Sequence, residues 1–522
     1  MDLLLHNARI VDGSGNPWYR GDVGIQGERI VAAGRVVAVE AGRTIDCRDL
    51  IVSPGFIDMH SHADVMLLAE PRHEGKILQG VTTDVLGQDG LSYAPASPPT
   101  LQLLRRQIAA CNGNPPVGCH WTSVASFLDR FDRRVSVNVV FLVPHAAVRA
   151  EVLDMQDRLA SAVELERMQA LVDEGMADGA VGFATGLDYT PNIWSDTDEL
   201  VALCEVVARR GGLYVTHVRH DRGDGFLDPI REAIEIGQRT GVRVHVSHLR
   251  GDQLGRPTTP DEVLGLFERA RAEGVDVTYD SYPYTRGSGL LHRLVPAWAH
   301  VGGPDAMLAR LRDPTDRQRI RAALAEQRTD WSEASIAAVQ TDRNRGLEGW
   351  SIAQGASELG KTVPDFICDL LVEEDLAVSL VSHSTSSEES IGPVLAHPLA
   401  TSGSDGLCWG SGRHPRTYGS FARVLGHYVR EQRVMPLEEA VRKMTSACAL
   451  RLGIKDRGLV RDGMVADLAV WDDKTIDARN SYERPLEPAV GVSHVLVGGQ
   501  LVLEDGVHTG ATPGRALKPL LD

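Results

Sequence analysis

Asp198 to Arg210 with Gly211-Gly212-Leu213-Tyr214-Val215-Thr216-His217, then Pro229 to Thr240 with Gly241-Val242-Arg243-Val244-His245-Val246-Ser247-His248, is the stretch that decides the fold. In each half, apolar residues recur at helical spacing until a glycine stops the helix, and a short apolar run follows that reads as a buried strand. The unit repeats on both sides. Glu164 to Gly179 precedes Ala180-Val181-Gly182-Phe183, and Pro260 to Glu273 leads through Gly274 to Val275-Asp276-Val277-Thr278-Tyr279. Helix and strand alternating at roughly 30-residue spacing imply an α/β fold on a parallel sheet, either doubly wound or closed as a barrel.

The flanks differ. Residues 2 to 53 read as short strands (Leu3-Leu4-Leu5, Ile30-Val31-Ala32-Ala33, Ile51-Val52) separated by turns, and the far C-terminus has the same character in Ala466 to Trp471 and His494 to Val502. Neither end supplies enough strands for a stable sheet, so the two are expected to pair into one small sandwich. This divides the chain into residues 1–53 with 455–522, and a barrel-like unit over 54–454. Within the latter, about 289–349 breaks the rhythm, with helical segments and no clear buried strand, and is read as an insertion that could serve as a lid.

Composition narrows the function classes. Hydrophobic residues at 43% and charged residues at 24% are globular values, and the formal net charge of −17 opposes attraction to nucleic acid or to an anionic membrane. No run approaches ~18 apolar residues, and Met1 to Asp12 lacks a basic lead into an apolar segment, so a cytoplasmic protein is expected. The seven cysteines form no Cys-x-x-Cys pair and read as reduced thiols.

Phe56-Ile57-Asp58-Met59-His60-Ser61-His62 carries two histidines which, on one strand, would face the same side. His217 and His248 each end a buried run, 31 positions apart, so they occupy equivalent places in successive βα units. In a barrel such positions converge on the active face, where neutral imidazoles can hold zinc. Asp405, in Thr401-Ser402-Gly403-Ser404-Asp405-Gly406, closes a later strand and supplies a carboxylate to bind metal and manage a proton. Each of these residues also has a plainer reading as a core histidine or a turn aspartate; their joint placement favours a metal site.

Pro54-Gly55-Phe56-Ile57-Asp58-Met59-His60-Ser61-His62, with His217, His248 and Gly403-Ser404-Asp405-Gly406, resembles the amidohydrolase superfamily. Gly182 to Tyr189, Thr216-His217-Val218-Arg219, Tyr282-Pro283-Tyr284-Thr285 and His414 to Gly419 resemble its N-acyl-D-amino-acid deacylase (D-aminoacylase) branch. The resemblance covers nearly the whole chain. It implies a (β/α)8 TIM-like barrel beside a composite β-sandwich, and one or two zinc ions, with His60, His62 and Asp405 at one position and His217 and His248 at the other. Where many members bridge the metals with a carboxylated lysine, this chain has no lysine between Lys76 and Lys361. The branch's Gly-Asn-Cys-Gly turn matches Gly87-Gln88-Asp89-Gly90, which sets Asp89 in the bridging place. A carboxylate can bind zinc and bridge two ions.

The same match places Arg416 to receive a substrate carboxylate, with Tyr189, Tyr282 and Ser288 nearby, and puts Arg250 where the branch has lysine. The implied reaction is zinc-dependent hydrolysis of the amide of N-acyl-D-amino acids, with Asp405 as proton carrier and a small carboxylate-bearing molecule as the partner. A cyclic-amide hydrolase of the dihydropyrimidinase type and a metal-free scaffold are the alternatives. Departures at Asp89, Arg250 and Asn192 leave acyl group, side chain and D-or-L preference open, as are metal count and assembly into a homo-oligomer.

Overall fold

The computed structural model describes residues 1–35, 40–220 and 222–519. Eight parallel strands run in chain order around a barrel: β1 (Phe56–Asp58), β2 (Val81–Leu86), β3 (Asn138–Pro144), β4 (Gly182–Gly186), β5 (Leu213–His217), β6 (Arg243–Val246), β7 (Val277–Ser281) and β8 (Ala400–Ser402). The ring closes from β8 to β1. Met59 N donates to Ser402 O at 3.1 Å, Asp405 N donates to His60 O at 2.7 Å, and Gly406–Leu407 pairs in parallel with Ser61–His62. The doubly wound alternative is therefore not the one this chain adopts.

The strands are buried along almost their whole length because both their faces are covered, polar positions such as Thr83 and Asp84 included. Along β3, Val140 and Leu142 point into the barrel with Ile57, Val85, Leu213 and Val215, while Val139, Phe141 and Val143 pack outward against the helices. Helix Ser446–Leu452 plugs the inner core through Cys448, Ala449 and Leu452. The intervening helices start where the sequence supplies caps: Ser161 with Glu164 and Thr259 with Glu262 each form a reciprocal capping box.

A nine-stranded sheet draws on both chain ends. Leu468–Trp471 pairs antiparallel with Ile51–Pro54 on one side and with Val492–Val497 on the other, and the sheet encloses its own core of Leu5, Ile10, Val23, Ile30, Val52, Leu468 and Leu496. Residues 36–39 and 520–522 of the two end segments lie outside the described residues.

The stretch after β7 departs from its reading as strandless. Ser335–Val339 is a buried strand, joined to Arg286–Leu290 through Val378–Ser384 in a three-stranded antiparallel sheet. Ser335-Ile336-Ala337-Ala338-Val339 is short and three of its five residues are alanine or serine, so its β-preference comes from packing, not from composition. Among the described residues, no helix is long and apolar enough to cross a membrane.

Candidate metal centre

Six side chains meet at the C-terminal mouth of the barrel. His60 follows β1; His62 sits in the two-residue bridge beyond it; Asp89 lies in the single turn Gln88–Gly90 after β2. His217 is the last residue of β5, His248 lies two residues past β6, and Asp405 three past β8. His60 and His62 therefore do not share one strand, and their rings come together because the chain breaks between them and re-pairs with Gly406–Leu407. Asp89, His248 and Asp405 hold left-handed backbone, with φ of 56°, 37° and 51°. Non-glycine residues rarely keep such angles unless the surroundings impose them. The surroundings are tight: a Cβ on Gly186 would stand 2.2 Å from Asp89 O, and one on Gly403 would stand 2.8 Å from His60 Cβ.

The donor spacing fits metal ions. A tetrahedral zinc with ligands at about 2.0–2.2 Å separates its donors by roughly 3.3–3.6 Å. His60 Nε2 and His62 Nε2 are 3.3 Å apart; His60 Nε2 is 3.4 Å from Asp89 Oδ1, and His62 Nε2 is 3.3 Å from Asp405 Oδ1. Asp89 also belongs to the second group, where His217 Nδ1 lies 3.6 Å from its Oδ2 and His248 Nε2 lies 3.8 Å from its Oδ1. Asp89 Oδ1 is buried without a hydrogen-bond partner, a costly state for a carboxylate that a cation would relieve. The donor set thus suits two ions sharing Asp89.

Burial alone would neutralise these groups, but their neighbours outweigh it. Burial pulls the His217 imidazole down, yet Asp89 and Asp188 hold it up at about 9. Burial pushes the Asp405 carboxyl up, yet Arg416 and His60 hold it below the usual carboxylate range. His248 moves the other way, because burial dominates and keeps its ring neutral.

A second layer, not singled out from the sequence, orients the first. Asp188 Oδ2 lies 3.1 Å from His217 Nε2 and 2.8 Å from His220 Nδ1. Asp280 on β7 accepts from His248 N at 2.9 Å and stands 3.5 Å from His60 Nδ1. Beneath, fully buried Lys76 pairs with Asp58 and donates to Ser404 Oγ at 2.6 Å, while Asp58 accepts from His60 N at 3.1 Å and Ser404 N at 2.7 Å. Asp188 and Asp58 stood within quoted motifs, Gly182 to Tyr189 and Pro54 to His62, but no spacing rule marks them out.

A cavity of about 250 Å³ opens beside the metal donors. Tyr189, His217, His248 and Asp405 face it from the barrel, Arg250 and Tyr282 from the following loops, and Ser288 and His383 from the three-stranded sheet above. Arg293, also on the wall, was not among the expected residues. Arg416 is placed differently from its expected position on the substrate surface. It is fully buried, does not line the cavity, and sits behind Asp405 with Nη1 2.7 Å from Asp405 Oδ2. Arg250 and Arg416 flank Tyr282, their guanidinium carbons 4.3 and 4.6 Å from its ring centre. None of the three Arg416 nitrogens makes a hydrogen bond of good geometry.

The chain is similar to known proteins over almost its whole length. The D-aminoacylase of Alcaligenes xylosoxydans xylosoxydans is 34% identical over 524 residues, covering 99% of this chain and 97% of its own. The N-acyl-D-glutamate deacylase of Bordetella bronchiseptica, solved with zinc and a phosphonate that mimics the tetrahedral reaction intermediate, is 30% identical and superposes with a TM-score of 0.84, covering 99% of both chains. A D-aminoacylase structure with a binuclear metal centre, 33% identical, gives a TM-score of 0.82, also over 99% of each chain. The model of the amidohydrolase family matches residues 43–503, and this chain belongs to that family.

Proposed function

We propose that this protein hydrolyses the amide bond of N-acyl-D-amino acids in a zinc-dependent reaction, releasing a carboxylate and a free D-amino acid. The observation that carries this reading is the pair of donor groups sharing Asp89 at the mouth of a cavity walled by Arg250 and Tyr282. The relatives that act on N-acyl-D-amino acids, alike over almost the whole chain, point to the same chemistry. The catalytic unit is residues 54–454, carried beside a composite unit of 1–53 and 455–522, and the insertion at about 289–349 contributes Leu290, Arg293 and Thr329 to the cavity wall. The seven cysteines, all unpaired, support a reducing, cytoplasmic setting.

His60, His62 and Asp405 would hold one zinc and His217 and His248 the other, with Asp89 available to both groups. Zinc there supplies Lewis acidity, polarising a carbonyl and easing loss of a proton from water. Asp405 is the proton carrier: it takes the proton from the attacking water and delivers it to the leaving nitrogen. Tyr189, whose phenol burial keeps protonated, points a hydroxyl donor at the scissile carbonyl. The substrate carboxylate is received by Arg250 and Tyr282 on the cavity wall, with Ser288 on the adjoining wall, while Arg416, behind them, braces the Tyr282 ring and Asp405. The cyclic-amide alternative gains no support, because buried Lys76 is committed to Asp58 and Ser404 and no lysine enters either donor group.

The test is a panel of N-acetyl-D-amino acids, their L enantiomers and a hydantoin, with bound zinc quantified in the same samples. The expected outcome is kcat/KM at least about 100-fold higher for D than for L substrates. Zinc at about one ion per chain or more should accompany it. L preference, hydantoin turnover alone, or zinc below about half an ion per chain overturns the reading.

A further inference from the structure

A second cleft, of about 570 Å³, opens at the opposite end of the barrel, where β6, β7 and β8 begin. Arg243, Arg271, Arg442 and Arg451 line it, and Asp276 is the one carboxylate among the described lining residues. In a chain of net charge −17, four guanidiniums around one opening form a local reversal of sign. Their own counter-charges are fewer than they are. Arg271 and Arg451 share Asp276, Arg442 takes Glu439 at 2.7 Å, and no carboxylate among the described residues lies within ion-pair reach of Arg243. Arg243 instead donates to two backbone carbonyls, Arg451 O at 3.0 Å and Gly211 O at 2.7 Å.

Arg451 gives the independent observation. Its side chain is 8% exposed and its Nε is buried without a hydrogen-bond partner. Burial, with Arg243 and Arg271 nearby, lowers its pKa to about 10 even with Asp276 alongside, so keeping it charged there carries a cost. A buried guanidinium is retained at such a cost where something anionic completes it.

We propose that this cleft is a binding site for a small oxyanion carrying two negative charges, seated between Arg243, Arg442 and Arg451. Arg243 Nε and Arg442 Nη1 carry no hydrogen bond among the described residues, and such donors can pair with the oxygens of phosphate, sulfate or a dicarboxylate. The site is remote from the metal mouth but mechanically continuous with it. Arg243 opens the strand that leads to His248, and Arg451 clamps the carbonyls of Val244 and Asp276 at the starts of β6 and β7. A bound anion would tie these strand ends together and stabilise the closed barrel.

The experiment uses the full-length zinc-loaded protein. Inorganic phosphate, sulfate and succinate are titrated separately against sodium chloride at matched ionic strength, reading Tm and, by calorimetry, the dissociation constant. Zinc content is followed throughout, so that metal loss is not mistaken for binding. At least one dianion is expected to raise Tm saturably where chloride does not, and the tetrahedral anions against succinate identify the preferred shape. Arg243→Gln and Arg442→Gln, each removing a partly exposed fork, should raise the dissociation constant about tenfold or more. Anion binding at the metal mouth would survive both substitutions. No saturable effect beyond chloride, or an unchanged dissociation constant in both variants, overturns the proposal.

Discussion

The metal mouth and the layer directly beneath it are both built from buried polar side chains, to opposite ends. Beneath, both Asp58 oxygens accept hydrogen bonds, Ser404 Oγ takes one from Lys76 and gives one to His60 O at 3.2 Å, and the backbone is unremarkable. At the mouth, three of the candidate donors hold left-handed backbone and Asp89 Oδ1 is left without a partner. A buried polar network that closes on itself holds chain segments in place, whereas one that leaves lone pairs facing a common point is shaped for something else. The lower layer binds the segment bearing His60 to the segment bearing Asp405. The upper layer uses the precision thus obtained.

The sharpest way to separate the two layers is to alter one member of each. Asp405→Asn keeps the shape at the mouth and removes the carboxylate proposed to carry the proton, so kcat should fall about 10²–10⁴-fold while the circular dichroism spectrum and Tm stay close to those of the parent. Near-normal turnover would remove Asp405 from that role. Lys76→Met does the reverse. It leaves Asp58 charged and buried without its partner, which costs about 3–5 kcal/mol and should appear as a large fall in the urea midpoint. A loss under about 1 kcal/mol would show that the layer is not a clasp.

A smaller effect tests the charge on the mouth itself. In the metal-free protein His217 is held protonated up to a pKa of about 9 by Asp89 and Asp188 against burial. Zinc needs the neutral ring, so below that pH each ion bound must displace a proton. Apparent zinc affinity should therefore climb about tenfold per pH unit per displaced proton from neutrality toward pH ~9, then flatten. Competition titrations across that range would show it, and Asp188→Asn, which removes one of the charges raising the pKa, should move the plateau to lower pH. A profile flat from neutrality would contradict this account of His217.

Much of this architecture was legible in the residues, for a definite reason. The βα period places His217 and His248 at matching strand ends, and a parallel barrel forces such ends to one mouth. The turns that aim the side chains were not legible. His248 and Asp405 lie two and three residues beyond their strands, in left-handed conformations that no strand or helix period announces. Arg416 shows the limit most clearly. Its identity suggested a role at the substrate, but where so long a side chain ends is decided by stacking on Tyr282 and by Asp405, 11 positions earlier in the chain and in front of it. Lys76 and Asp58 meet across 18 positions with no periodicity to announce them.

The pairing of Ile51–Pro54 with Leu468–Trp471 sets a schedule for synthesis. Those strands are separated by 468 − 54 = 414 positions, which a ribosome working at about 5–20 residues per second covers in roughly 20–80 s. For that interval the N-terminal strands wait on the nascent chain with one edge unpaired, while the barrel emerges behind them. Expression at lower temperature, or with chaperones that shield strand edges, should therefore raise the yield of native protein more than any change at the metal mouth.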